Sequence, residues 1–483
     1  MSSLSSSRGE AGAPPYVSSG ERAARDAALA CAAALAVALG VGRFAFTPLL
    51  PLMLAGGELD IRHGGWLASA NYAGYFVGAM TCARIAVDPV RMVRYGLVAT
   101  VALTLAMGIA SPFWVWALVR FVGGAVSAWT FVFASQWGLR RVAERGALAW
   151  GGVIFTGPGV GIVVTGLIGS VLAGQRAALG WIGFAAASAV LSAVVWRAFG
   201  TTAREPVRDA GGERSRNGAE NGGDAAGAAD ASGRAEARRA IGLAGAANAA
   251  NATNAATAIS AKNFTSANVA RPREAVAAST GSAPNASPAD ARRDAFWLVL
   301  LYGLPGFGYI VTATFLPVIA RAALPARSPW PDLFWPMFGA ALIVGALLGA
   351  RLPSRWDNRL LLAVCCAVQA IGVALGIVWP TAPGFALGSA LVGLPFTAIT
   401  LFAMREARRL RGERAAGLMG YATASYGVGQ IVGPLAAAPL AAHAGSFSPA
   451  LWLASAVLAV GAAGFAAVAL HATRAAKHGS GVA

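Results

Sequence analysis

Long apolar stretches separated by short polar breaks run from about residue 27 to 198, and again from about 295 to 471. A bilayer core about 30 Å thick asks for about 20 apolar residues per helix. On that measure the pattern predicts twelve spans: 27–54, 65–86, 93–111, 113–138, 149–173, 178–198, 295–320, 332–351, 359–379, 383–404, 416–441 and 449–471. Between the sixth and seventh, residues 199–294 are rich in Ala, Asn, Gly and Ser. Too few large apolar side chains occur there to bury a core, which predicts a disordered linker. The expected architecture is an all-α integral membrane fold. A tail (1–26), a six-helix half (27–198), the linker (199–294), a second six-helix half (295–471) and a closing tail (472–483) make it up.

The halves resemble each other. Val77-Gly78-Ala79 leading to Ala83-Arg84 recurs as Val344-Gly345-Ala346 leading to Ala350-Arg351, and Ala117-Leu118-Val119 recurs as Ala390-Leu391-Val392. Arg140-Arg141 to Glu144-Arg145 answers Arg408-Arg409 to Glu413-Arg414, and Gly157-Pro158 answers Gly433-Pro434. Four matches in the same order argue for an internal duplication, a mark of many transporter folds.

Composition agrees: 57% of residues are hydrophobic and 12% charged, against about a quarter charged in soluble domains. The formal charge of +17 collects in alternate loops. Arg91, Arg94, Arg140, Arg141, Arg145, Arg355, Arg359, Arg405, Arg408, Arg409, Arg411 and Arg414 fall on one side; Arg62, Arg176, Arg321 and Arg327 fall on the other. This bias places both termini in the cytoplasm and makes the bilayer, rather than nucleic acid, the partner of the charge. A bacterial inner membrane location and a monomer are expected. The first apolar run is too long for a signal peptide, so it is expected to stay as an anchor. Cys31, Cys82, Cys365 and Cys366 lie in apolar runs, and neither a disulfide framework nor a metal spacing is present. No cofactor is implied.

The chemistry concentrates in Gly40-Val-Gly-Arg43-Phe-Ala-Phe46-Thr47-Pro48-Leu-Leu-Pro51-Leu-Met53, where no acidic residue occurs between Asp26 and Glu58. A charge at mid-bilayer costs about 2.5–3.5 kcal/mol on insertion scales, so Arg43 reads as functional. The competing reading has it snorkel outward or bond carbonyls freed by Pro48 and Pro51. A second arginine, Arg120, stands in the fourth span before Gly123-Gly124.

Six plus six spans, Arg120, and Gly157-Pro158 with Gly161 in span five resemble the major facilitator superfamily. Gly42-Arg43-Phe44 followed by Thr47-Pro48-Leu49-Leu50-Pro51 is similar to its YbfB/YjiJ-type branch. The chain departs from the superfamily pattern in two places. Asp88 of the loop motif after span two remains, but Arg84 takes the glycine position, and Ile162 replaces the last glycine of the span-five signature.

The resemblance implies alternating access around a central cavity lined by spans one, four, seven and ten. Helical spacing there puts Phe46 and Thr47 with Arg43, and Ser127 with Arg120; Tyr302, Tyr309 and Thr312 share span seven, and Thr397 and Thr400 share span ten. Counting from the outer ends sets Arg43 about 16 Å and Arg120 about 10–12 Å deep. Two guanidinium groups at that depth suit one carboxylate or phosphate. The expected function is a secondary active transporter of a small organic solute, with an organic anion as the class the arginines favour. An exporter of drugs or lipophilic cations is the alternative within transport, and a non-transporting receptor the alternative outside it. No metal pair, nucleophile elbow or phosphate loop points to an enzyme.

Asp294, Asp332 and Glu406 stand at span ends, so no carboxylate relay is expected inside a span. That argues against proton symport. An inside-negative potential of 100 mV favours outward movement of an anion by about 2.3 kcal/mol, in keeping with export or exchange. Gly157, Pro158, Gly161, Gly433, Pro434 and Asp88 are the expected conformational residues, on helices that form the contact between halves.

Overall fold

The computed structural model describes residues 19–147, 150–200, 288–326, 328–353, 355–412 and 415–479. Among these residues all regular structure is helical. The first half comprises α1 (Ser19–Leu35), a π-turn (Ala36–Val41), α2 (Phe46–Ala55), α3 (Ile61–Thr81), α4 (Pro89–Ile109), α5 (Phe113–Glu144), α6 (Gly151–Ile154), α7 (Gly157–Val171) and α8 (Ala177–Trp196). The second comprises α9 (Pro288–Ala323), α10 (Phe334–Arg351), α11 (Asn358–Val378), α12 (Ala382–Gly393), α13 (Pro395–Arg411), α14 (Ala415–Ala444) and α15 (Ser448–Gly479). The first helix of the second half starts at Pro288, earlier than the expected 295; most of the expected linker lies outside the described residues.

Ten helical stretches are long and apolar enough to cross a bilayer. The other two expected spans fall on α3 and α14, continuous helices of 21 and 30 residues that stand outside that set. Their buried positions include Asn71 and Tyr75 on α3, and Thr423, Tyr426 and Gln430 on α14. Such polar groups lower hydropathy and take neighbouring helices rather than lipid as partners.

The predicted first span is broken in the middle. Gly42 N–H bonds the Val37 carbonyl at 3.0 Å and Phe44 N–H the Leu39 carbonyl at 3.0 Å, both one residue longer than α-helical register. Pro48 has no N–H to give the Phe44 carbonyl. Thr47 N–H takes that carbonyl instead, at 3.2 Å, which leaves the Arg43 carbonyl without its helical donor. Proline and local π-register thus turn the chain at Arg43.

Glycines spaced four residues apart, Gly74 and Gly78, Gly157 and Gly161, and Gly345 and Gly349, pack inside each half. A Cβ on Gly74 or Gly78 of α3 would strike the backbone of Phe121 or Ala125 on α5; Gly345 of α10 faces the Leu394 backbone in the same way, and Gly349 lies more loosely against Ala398. Gly157 and Gly161 of α7 lie against Ala32, Ala36 and Gly40, whereas Gly433 of α14 lies against Ile310 of α9. These matched crossings are the structural form of the duplication. The helices carrying them do join the halves, as expected, but through other faces. Gly65 of α3 meets Ala438 of α14, and Phe76 meets Gly427; Gly166 of α7 meets Pro336 of α10, and Gly159 meets Ile343.

Those contacts are uneven along the membrane normal. One buried core contains Phe46, Leu50 and Trp181 of the first half together with Tyr309, Phe315 and Trp335 of the second. A separate core, holding Cys31, Val93, Phe131 and Phe155, belongs to the first half alone. The halves therefore share a core that includes the far face, where α2 ends; on the terminus face, where α1 begins, the first half has a core of its own, while Leu298 and Leu418 of the second half belong to the shared one.

Candidate functional site

The break in the first span points Arg43 inward. Its side chain is 4% exposed, so it does not snorkel. The guanidinium lies 4.0 Å from the Tyr75 ring centroid, 5.1 Å from Tyr72 and 5.4 Å from Phe44. Ring faces attract a cation in a desolvated setting. Nη2 donates to Gln430 Oε1 on α14 at 3.1 Å, while Nε is buried with no acceptor among the described residues.

Arg120 is 3% exposed and takes the carbonyl that the helix break released. Its Nη2 donates to the Arg43 carbonyl at 3.3 Å and its Nε to the Leu67 carbonyl at 3.5 Å, and its guanidinium stands 4.8 Å from the Phe46 centroid. Asn71 Nδ2 donates to the Arg120 carbonyl at 2.8 Å. Carbonyl satisfaction, the competing reading of Arg43, is thus the work of its neighbour. Among the described residues no carboxylate forms an ion pair with either guanidinium.

The second half answers with hydroxyls and one amide. Gln430 Nε2 donates to the Tyr309 hydroxyl. The Tyr309 ring stacks on Tyr426 at 5.8 Å and meets Phe396 edge-on at 4.8 Å. Tyr302 packs on Tyr426 at 5.0 Å, and its hydroxyl bonds that of Thr400. The Thr397 and Thr423 hydroxyls are buried and unpartnered among the described residues.

The structure gathers Arg43, Arg120, Phe46 and Tyr309 as expected, with Tyr302 and Thr400 linked to Tyr309 through Tyr426, and Thr397 buried beside Phe396 in sequence. The remaining expected contacts point elsewhere. Ser127 donates to the Ala38 and Gly123 carbonyls at 2.7 Å each, closing the π-turn. Thr47 ties the halves by donating to the Ala313 carbonyl at 3.1 Å. Thr312 faces a narrow crevice with Gly372, Phe385 and Ser389. Pro158 opens α7 after a break at Phe155–Thr156, Pro434 lies within the continuous α14, and Asp88 caps α4 by accepting from Arg91 N–H at 3.1 Å.

Gln430, Asn71, Tyr72, Tyr75 and Tyr426 escaped the sequence reading, because it looked only at spans one, four, seven and ten. Lone amides inside apolar spans were the available signal. Glu406 stands toward a helix end, as expected, and is 1% exposed. It pairs with Arg409 at 2.7 Å and lies 3.7 Å from Arg359, which reaches Asp294 at 3.2 Å and Asp357 at 3.1 Å. This cluster closes the terminus face of the second half, away from the two central arginines.

Residues 35–220 and 225–465 match the profile of the family described as "Uncharacterised MFS-type transporter YbfB". The chain belongs to this family. A YbfB-type transporter is a multi-pass membrane protein, and the apolar helices agree with that. Among solved structures, the nucleoside transporter NupG is similar at a TM-score of 0.63 and 13% identity, over 92% of this chain and 99% of that one. At that identity the likeness establishes the major facilitator fold alone. A search of curated proteins returned no match.

Within this YbfB-type fold the site lies where the halves meet. Arg43, Thr47, Ser69 and Tyr72 of the first half bond Gln430, Ala313, Ile431 and Thr314 of the second, at 3.1, 3.1, 2.8 and 3.1 Å. Buried cations, aromatic faces and cross-half hydrogen bonds therefore occupy one layer.

Proposed function

We propose that the protein is a secondary active transporter that moves a small organic anion by alternating access, with Arg43 and Arg120 as the anion-binding pair. The observation that carries this reading is two guanidinium groups, 4% and 3% exposed, with no carboxylate partner among the described residues. A buried charge needs a counter-charge, and planar guanidinium groups match a carboxylate bidentately. Phe46 and Tyr309 flank the pair, and the hydroxyls of Tyr302, Thr397 and Thr400 suit a substrate with polar groups beyond its anionic end. The lipophilic-cation alternative gains no support from a layer whose two central charges are positive.

Twelve spans, cytoplasmic termini in a bacterial inner membrane and a monomer complete the proposal. In that orientation the far-face part of the shared core is the outer seal. The test is thermal shift of the purified protein against small carboxylic acids, nucleosides and lipophilic cations, with Arg43→Ala in parallel. A ligand at 100 times its Kd stabilises the folded state by about 2.7 kcal/mol. Carboxylates are expected to raise the parent's midpoint and leave Arg43→Ala unmoved. Shifts by cations alone, equal in both proteins, would sink the proposal.

A further inference from the structure

Arg43 has an acceptor from the opposite half, and that acceptor is uncharged. Gln430 Oε1 takes its Nη2 at 3.1 Å, and Gln430 is 3% exposed with its Nε2 held by the Tyr309 hydroxyl. Because Tyr309 accepts from the amide nitrogen, the amide oxygen is turned toward Arg43. The amide thus presents one oxygen to the guanidinium, as a carboxylate would. Arg43 sits on the first span and Gln430 on α14, so this bond also crosses the interface that Thr47, Ser69 and Tyr72 hold shut nearby.

We infer that Gln430 is an internal stand-in for the substrate anion: its side-chain oxygen and the anion compete for Arg43, and their exchange couples binding to the parting of the far face. The inference rests on the anion reading above. With the far face closed, Gln430 satisfies Arg43 and disfavours retention of the anion. When the far face opens, α14 carries Gln430 away, and Arg43 is left for an incoming anion. A neutral amide suits this role because it lacks the counter-charge that a carboxylate brings to the guanidinium, so the anion displaces it without the latch becoming permanent.

The experiment uses the full chain with spin labels on Arg62→Cys and His443→Cys, exposed positions on the far-face ends of α3 and α14. The four native cysteines are buried. Inter-label distance and thermal shift are read with benzoate, lactate and succinate. Gln430→Met, which removes the acceptor at similar size, is expected to lengthen the distance without ligand. It should also tighten acid binding by about three- to tenfold, the worth of one hydrogen bond. Gln430→Glu supplies a permanent counter-ion; it is expected to shorten the distance and erase the response to all three acids, and it serves if the methionine variant does not accumulate. Acids that bind the parent through Arg43 while both Gln430 variants keep its distance and affinity would overturn the inference and leave the anion reading standing. If no acid binds the parent or Gln430→Met, the anion reading falls first and the competition falls with it.

Discussion

The first half brings charge to the centre of the molecule, and the second half brings hydroxyls and an amide. Arg43 meets Gln430 and, through it, Tyr309 across an interface whose supporting helices carry glycine crossings on both sides. Duplication thus governs the frame, where backbone approach matters, and leaves the site free to become asymmetric. On the anion reading proposed above, the cations would carry affinity and the hydroxyls would discriminate among anions. Arg43→Met is the harshest test of that division. Truncating one partner of a buried charge pair costs about 2–5 kcal/mol, so uptake of an anionic substrate into proteoliposomes is expected to fall about 30-fold or more. Loss of less than threefold would place the affinity in the second half instead.

The glycine crossings provide the next comparison. A Cβ at Gly78 would stand 2.6 Å from the Ala125 carbonyl oxygen and 2.7 Å from its Cα, both backbone. At Gly349 of α10, which meets Ala398 where Gly78 meets Ala125, the nearest atom is Ala398 Cβ at 3.3 Å. Gly78→Ala must push two helices apart, at a cost of about 1–3 kcal/mol. Gly349→Ala gains the helix-interior advantage of alanine, about 0.5–1 kcal/mol, against mild crowding. The first is expected to lower the thermal midpoint and the second to leave it level or raise it. Equal losses would mean the halves are packed alike after all.

The frame was legible because lipid imposes length and hydropathy on every span, and because close crossings demand small residues that the sequence shows as paired glycines. Arg43 and Arg120 were legible for the complementary reason, since a charge without a partner stands out in an apolar run. What the sequence concealed is mostly acceptor and donor geometry. Gln430 sits three residues before a Gly-Pro that drew attention to bending, and nothing in its spacing reveals that α14 brings it to Arg43. Ser127 shares a helical face with Arg120, yet its hydroxyl goes to carbonyls that only the π-register of Ala36–Val41 makes available. Glu406 was read by distance along the chain, whereas its burial depends on Arg359 from another helix.

Hydroxyls of the second half sharpen the comparison on a smaller scale. Thr397 is 0% exposed, and its Oγ1 has no partner among the described residues. A buried unsatisfied hydroxyl costs about 1–3 kcal/mol. Thr397→Val, nearly isosteric, is therefore expected to raise the ligand-free midpoint. It should also weaken a hydroxylated acid such as lactate by about two- to tenfold, with benzoate unchanged. Equal weakening of both acids would show that Thr397 shapes the cavity rather than reading the hydroxyl.

The smallest expected difference lies at the terminus face, where each half caps a helix with aspartate. Asp88 is exposed and accepts from Arg91 N–H at 3.1 Å, whereas Asp357 accepts from Arg359 N–H at 2.8 Å and also bonds the Arg359 guanidinium. Burial pushes the Asp357 carboxyl up, but the bonds and charge of Arg359 outweigh it and hold the group below the usual aspartate range. A depressed folded-state pKa means stability that is complete above the unfolded value, about 3.9 for aspartate, and lost as pH falls through the folded value. Partial exposure keeps the contribution to at most about 1 kcal/mol. The thermal midpoint of the parent is expected to drop below about pH 4, and Asp357→Asn to flatten that part of the drop while lowering the plateau above it. Asp88→Asn keeps the cap acceptor, so at neutral pH its midpoint is expected to match the parent's. An acid limb in Asp357→Asn as steep as the parent's would remove the charge-dependent cap from Asp357.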